Sequence, residues 1–336
     1  MKKNYLEHKY QAYPLIGNPT GIHALSNLNR QLKDVQVYLK RDDVMDIGLG
    51  GNKLRKLEYL IQDAISQGAD TLLTTGGVQS NHARLTAAAA ARAGMHCELV
   101  LSQPVPIDTL NYNNNGNILL EQIMGVTVQI IPKGATVQTF LDARCAELIA
   151  QGRKPYVMPM GGSNPVGCLG YANCYLEIME QSQQMNMEFS HILVPNGSSG
   201  THAGLLAGQK FAAQAGPEIR SYAVLADEAQ TKRTTLEKTI ATANLLGYTE
   251  MIHDTEVFVN DAYRGEGYGI PTSSMWSALR LLAQTEGIFL DPVYSGKAFA
   301  GMLGDIEQQK FPKGSNILFI MTGGTAGLFA YQDLVG

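Results

Sequence analysis

The chain has 336 residues, with 26 Lys and Arg against 30 Asp and Glu, a formal net charge of −4 and only 17% charged residues, which excludes the basic excess of a duplex-binding surface. Hydrophobic residues at 45% and 35 glycines exclude disorder and collagen-like repeats, and the length suggests about two domains whose cores need no disulfide. Cys97, Cys145, Cys168 and Cys174 form neither a C-x-x-C pair nor a Cys/His grouping, so they read as reduced thiols of a cytoplasmic protein, and no metal is expected.

The charged start of the chain, residues 1–8, lacks the apolar core of a signal peptide. The longest apolar stretch, residues 85–93, is bounded or broken by Arg84 and Arg92 and falls far short of the ~20 residues that span a bilayer. Neither secretion nor a membrane segment is expected.

In chain order, β-branched runs alternate with helical patterns that close on glycine. A strand over 37–40 precedes a helix over 53–67, where Leu54, Leu57, Leu60, Ile61, Ala64 and Ile65 make an apolar stripe and Gly68 the stop. A strand over 71–75, a turn over 76–81, a helix over 82–93 and a strand over 97–101 come next. The cycle repeats as helix 117–124, strand 127–131, helix 136–150 and strand 156–158, ending in the turn cluster 161–165. Beyond it the pattern predicts helix 166–184, strand 191–194, helix 201–215 stopped by Gly216, strand 222–226, helices 230–246 and 273–286, and strand 317–321. This alternation is the sequence form of βαβ units on a parallel sheet, an α/β fold.

Three turns rich in glycine, hydroxyl and carboxamide side chains each open a helix beside a strand, where open α/β sheets bind ligands. In Pro195-Asn-Gly-Ser-Ser-Gly-Thr201, small residues and the hydroxyls of Ser198, Ser199 and Thr201 suit a phosphate. The run matches neither nucleotide fingerprint, and a structural turn is the plainer alternative. In Gly50-Gly-Asn-Lys53 a lysine sits in the first turn of a helix, against the helix dipole. A partly desolvated amine there suits a Schiff-base nucleophile; otherwise Lys53, like Arg55 and Lys56, is a solvated helix charge. In Gly76-Gly-Val-Gln-Ser-Asn81, Ser80 and Asn81 occupy an N-cap region that could bind a carboxylate or merely cap the helix, and His82 alone reads as packed or capped. Together these parts suit pyridoxal phosphate acting on an amino acid.

The runs Lys40-Arg-Asp-Asp43, Gly50 through Glu58, Gly77 through His82, Gly265-Glu-Gly-Tyr-Gly-Ile-Pro271 and Leu290-Asp-Pro-Val-Tyr-Ser-Gly-Lys297 resemble those of the 1-aminocyclopropane-1-carboxylate deaminase and D-cysteine desulfhydrase family, over essentially the whole chain. The resemblance implies a fold type II pyridoxal phosphate enzyme similar to the tryptophan synthase β chain, with two open, twisted, mostly parallel sheets flanked by helices. The small domain would be 51–164 and the large cofactor-binding domain 1–50 with 165–336. It also implies pyridoxal 5'-phosphate as cofactor, a small amino-acid substrate and a homodimer.

By the same resemblance Lys53 would carry the cofactor, Asn81 would meet its 3-oxygen, and Gly197, Ser198, Ser199, Gly200 and Thr201 would hold its phosphate. Gln79, Ser80, Asn81 and His82 would bind substrate, with Ser80 at the carboxylate, and Tyr268 and Tyr294 would face the leaving group. The deaminases of the family carry Glu directly after D-P-V-Y and an apolar residue before the C-terminal Gly-Gly; here stand Ser295 and Thr322. That neutral hydroxyl pair, expected at the pyridine nitrogen, points to a lyase. The reaction expected first is β-elimination from D-cysteine to pyruvate, hydrogen sulfide and ammonia. L-cysteate sulfo-lyase, the cyclopropane deaminase and a catalytically silent binding protein are the alternatives.

Overall fold

The computed structural model describes residues 2–335. Its strands are β1 (Ile22–Ala24), β2 (Val35–Lys40), β3 (Thr71–Gly77), β4 (His96–Ser102), β5 (Thr127–Ile130), β6 (Pro155–Met158), β7 (His191–Asn196), β8 (Glu218–Ala223), β9 (Phe258–Asn260) and β10 (Ser315–Ile320). The helices are α1 (Ser26–Asn29), α2 (Lys53–Ser66), α3 (Asn81–Ala93), α4 (Leu110–Asn114), α5 (Asn117–Ile123), α6 (Val137–Ala150), α7 (Pro165–Gln184), α8 (Gly200–Ala212), α9 (Glu228–Leu245), α10 (Ser273–Glu286), α11 (Ser295–Glu307) and α12 (Thr325–Ala330).

The strands form two sheets. Six lie in the order β1-β2-β10-β7-β8-β9 and four in the order β5-β4-β3-β6. Only the edge strand β1 runs antiparallel, pairing Ile22 with Lys40; every other pairing is parallel. β7 is buried along its whole length, and β10 at every residue except Asn316. Their residues 192–195 and 317–320 are the continuous apolar runs expected of parallel strands covered on both faces. At their C-terminal ends, β3 of the smaller sheet and β7 and β10 of the larger deliver Gly76, Gly77 and Ser80, residues 195–199, and Thr322 to one region.

The chain departs from the pattern reading in several places. β8 starts at Glu218 rather than 222, because it pairs with β7 from His191↔Glu218 to Asn196↔Ala223 and stops where β7 stops. α8 ends at Ala212, before Gly216, with Ala213 left-handed at φ 50. Pro217 bars the preceding residue from the helical region, so the helix cannot reach it. The three-residue edge strands β1 and β9, the short helices α1, α4 and α12, and the 13-residue α11 are additions.

Arg55 and Lys56 are not solvated charges, since both are 0% exposed. Arg55 donates through Nε and Nη2 to the two oxygens of Asp42 at 2.9 and 2.8 Å, and through Nη1 and Nη2 to Glu177 at 3.1 and 2.9 Å. Lys40 Nζ donates to Glu177 Oε1 at 2.5 Å, and the Tyr171 hydroxyl to Asp42 Oδ2 at 2.5 Å. Thus β2, α2 and α7 are clamped by one buried network. Burial by itself would raise the Glu177 carboxyl, but Arg55 and Lys40 overcome it and bring it down to about 2. Removing one member strands the others without water, a loss of roughly 3–5 kcal/mol. Arg55→Met should lower the denaturation free energy by that order in urea melts near neutral pH. Because the Glu177 pKa is depressed, its contribution is present above the unfolded carboxyl value of ~4.3 and is lost as pH falls toward 2. The wild-type melting midpoint should therefore drop through that window, and Glu177→Gln should flatten the drop.

Candidate active site

α2 starts in a loop built to approach its neighbours closely. Gly50 is left-handed at φ +66, and a Cβ on it would lie 2.2 Å from the Asp43 carbonyl oxygen, so only glycine fits. Gly51 N–H donates to the Asp42 carbonyl at 2.9 Å and Asn52 N–H to the Thr322 carbonyl at 3.1 Å, which ties the start of α2 to the end of β10. The Asn52 side chain does not cap α2. It donates instead to Thr201 Oγ1 at 3.1 Å, joining α2 to the turn that opens α8.

These contacts place Lys53 on the wall of a cavity that Ser80, Asn81, His82, Gly197, Ser198, Ser199, Thr201, Tyr268, Tyr294 and Thr322 also line. Burial pushes the Lys53 amine down to about 8, with the Lys238 ammonium adding to the fall. Two further amines flank the 197–201 turn. Lys56 Nζ donates to Ser163 Oγ at 2.8 Å and to the Gly161 carbonyl at 3.2 Å, and Lys238 Nζ donates to the Ser198 carbonyl at 2.7 Å. Burial drives Lys56 well below the ordinary lysine value and lowers Lys238 too. An anion at this turn would relieve all three.

The turn itself is held tightly. Ser199 is left-handed at φ 67 ahead of α8, and its N–H donates to Asn196 Oδ1 at 3.1 Å. Its hydroxyl pairs with Thr234 Oγ1 at 2.8 Å, and the hydroxyls of Ser198 and Ser163 pair at 2.7 Å. Gly200 does not line the cavity, yet a Cβ there would fall 2.5 Å from Ser163 Oγ and 2.7 Å from Lys56 Nζ. Helix-start amides, hydroxyls and amines without a side-chain clash are the chemistry of a phosphate cradle.

Opposite, Ser80 is both a cap and a wall residue: its Oγ accepts from Ala83 N–H at 3.1 Å at the start of α3. Asn81 Oδ1 accepts from Asn117 at 3.1 Å. His82 shares a hydrogen bond with Thr74 Oγ1 at 2.9 Å, and burial, reinforced by Lys53 and Lys56, holds its pKa well below the usual value, so the ring is neutral. The Tyr268 and Tyr294 hydroxyl oxygens lie 2.6 Å apart, with rings at 69°. Burial raises both phenols, Tyr268 to about 12.

Besides Gly200, two sequence candidates do not line the cavity. Gln79 spends its amide on the carbonyls of Tyr112 and Asn115 at 2.6 and 2.9 Å and accepts from Asn117 N–H at 2.9 Å, so it braces α3 against α5. Ser295 lies behind the wall, where its hydroxyl donates to Asp291 Oδ1 at 2.6 Å. Of the hydroxyl pair only Thr322 faces the cavity, and its buried Oγ1 has no partner among the described residues. The sequence reading omitted Asn52, Lys56, Ser163 and Lys238. Lys56 had a signal, since it lies three residues after Lys53 on the same helix face; Lys238 had none, because it reaches the turn from the middle of α9.

The profile of the pyridoxal-phosphate dependent enzymes matches residues 14–323, and the chain belongs to that family. Its cofactor is pyridoxal 5'-phosphate. The chain is 44% identical to D-cysteine desulfhydrase of Yersinia pseudotuberculosis serotype O:1b (strain IP 31758), over 98% of this chain and 99% of that one. It is 40% identical to D-cysteine desulfhydrase of Salmonella typhi, over 97% and 98%. Among solved structures, an ACC deaminase homologue superposes with a TM-score of 0.88 at 36% identity, covering 100% of this chain and 99% of that one. O-ureido-L-serine synthase, at 16% identity and a TM-score of 0.66 over 98% and 96%, shares the fold.

The depressed pKa of the Lys53 amine is measurable. Competitive acylation of cofactor-free protein across pH, read by peptide mass, should give Lys53 a labelling midpoint near 8, about two units below surface lysines at ~10.4. A Lys53 midpoint equal to theirs would remove the desolvated amine from the site.

Proposed function

We propose that this protein is a lyase that eliminates sulfide from D-cysteine, giving pyruvate, hydrogen sulfide and ammonia with uptake of one water. The observation that carries the reading is the position of Lys53, a depressed-pKa amine on one cavity wall shared with the 197–201 turn and the Tyr268–Tyr294 pair. The D-cysteine desulfhydrases aligned over nearly the whole chain support the substrate. A homodimer in the cytoplasm, with 51–164 as the small domain, accompanies this proposal. Among the described residues no helix is long and apolar enough to cross a membrane, and the four cysteines are free.

The residues fit pyridoxal phosphate. The turn 197–201 with Lys56 and Lys238 would hold its phosphate, Lys53 would bond its carbonyl carbon, and Asn81 would meet its 3-oxygen. The partnerless Thr322 hydroxyl would meet the ring nitrogen. When bound, the cofactor supplies an electron sink that acidifies the substrate Cα–H and lets the β-substituent depart.

The remaining work falls to the side chains. Ser80 and the amides that open α3 bind the substrate carboxylate, where helix-end N–H groups favour negative charge. Lys53, with a pKa near working pH, exchanges the Cα proton. Tyr268 and Tyr294 stay protonated because burial raises both, so they can donate to the sulfur as the C–S bond breaks. Thr322 is neutral and cannot keep a ring nitrogen protonated as a carboxylate would. That moderates the electron sink, which suits elimination better than opening a cyclopropane ring.

Assay of purified holoenzyme against D-cysteine, L-cysteine, L-cysteate and 1-aminocyclopropane-1-carboxylate, read as pyruvate or ketobutyrate, should show D-cysteine preferred and no ring opening. Lys53→Ala should lower turnover at least ~10³-fold, equivalent to ~4 kcal/mol of barrier, while far-UV circular dichroism still reports the folded protein. Preference for L-cysteate would make the protein a sulfo-lyase, and efficient ring opening would refute the elimination reading. A folded protein that binds cofactor but turns over none of the panel would be a silent relative.

A further inference from the structure

Lys297 is 1% exposed and sits in the first turn of α11, where a cation opposes the helix dipole. Its ammonium is not spent on a carboxylate. Nζ donates to the backbone carbonyls of Arg264 at 2.6 Å and Gly267 at 2.8 Å. Both carbonyls belong to the segment 264–270, which has neither helix nor strand and carries Tyr268. The residue that precedes α11 is Tyr294, three positions before Lys297 and bonded through its hydroxyl to that of Tyr268. One helix start therefore holds one phenol directly and the other through two carbonyls. A third tie to the same segment runs from the Tyr331 hydroxyl to the Gly269 carbonyl at 2.7 Å. A buried ammonium satisfied by carbonyls alone costs stability relative to an apolar side chain of similar length, so fold stability does not explain its presence.

We propose that Lys297 is a positioning residue that sets Tyr268 against Tyr294, and hence toward the leaving group, by pinning the carbonyls of Arg264 and Gly267. This inference rests on the reading of Tyr268 as a donor to the departing sulfur. Without Lys297 the two carbonyls lose their charged donor. Of the three ties only that from Tyr331 to Gly269 is then left, and the Tyr268 hydroxyl is less firmly held at its 2.6 Å contact.

The test uses two substrates that differ in what the leaving group needs. Sulfide departure from D-cysteine is helped by a donor at sulfur, whereas chloride departs from β-chloro-D-alanine without a proton. Holoenzymes of wild type, Tyr268→Phe and Lys297→Met are compared at matched cofactor occupancy, read from visible absorbance. In Lys297→Met, kcat on D-cysteine should fall about tenfold while kcat on β-chloro-D-alanine changes less than about twofold, and Tyr268→Phe should show the same split. Equal losses on both substrates in Lys297→Met, with the split retained in Tyr268→Phe, would mark Lys297 as structural and overturn this inference alone. No split in Tyr268→Phe would overturn the reading of Tyr268 and the inference with it. If Lys297→Met does not accumulate as folded holoenzyme, Lys297→Leu, which likewise removes both donated bonds, takes its place under the same two criteria.

Discussion

Everything at the cavity depends on where α2 begins, and that is fixed by Asp42. Its carboxylate receives Arg55 and the Tyr171 hydroxyl, while its backbone carbonyl receives the N–H of Gly51. One residue thus anchors both the body of α2 and the loop in front of it. A buried ion pair of this kind is weak evidence for net stability, because its desolvation cost is large. What it does is fix geometry: a guanidinium forked between Asp42 and Glu177 has one satisfied orientation, and two residues before it stands Lys53. The same helix turn delivers Lys56 to the back of the 197–201 turn.

The electrostatics of the cavity result from that placement. Lys53, Lys56 and Lys238 crowd one turn at a helix start, and none of them has a carboxylate within ion-pair distance among the described residues. Each is destabilised as a cation by burial, and Lys53 and Lys56 by neighbouring amines as well. Such a site is unfavourable empty and would be favourable with a dianion, so an anionic group bound at the turn would recover its cost. The tyrosine side is the complement: two phenols raised by burial, sharing one short contact, with protons to donate and none to take up.

Much of this was legible in the sequence because it was local. Glycine stops, apolar stripes and β-branched runs marked α2, α3, α7 and α10 to within a residue or two, and the three turns at helix starts held many of the cavity-lining residues. What escaped was set by distant packing. α11, to which the sequence pattern assigned no element, carries Gly296, Gly301 and Gly304, and a Cβ on Gly301 would meet the Tyr222 ring at 2.3 Å and one on Gly304 the Tyr263 hydroxyl at 1.9 Å. The glycines are there for contact, not for a turn. Arg55 resembled any surface charge until Asp42 and Glu177, 13 positions before it and 122 after, closed around it. The hydroxyls of Ser295 and Thr322 looked equivalent, but Asp291 takes the first and leaves the second free. No local pattern could have told them apart.

The central claim is that the amine at the start of α2 bears the cofactor, ahead of the two amines nearest to it. Borohydride reduction of the holoenzyme, followed by proteolysis and mass mapping of the pyridoxyl-labelled peptide, tests it most directly. The account predicts a single label on Lys53, with Lys56 and Lys238 unmodified. A label on either of those two, or its persistence at full yield in Lys53→Ala, would contradict it.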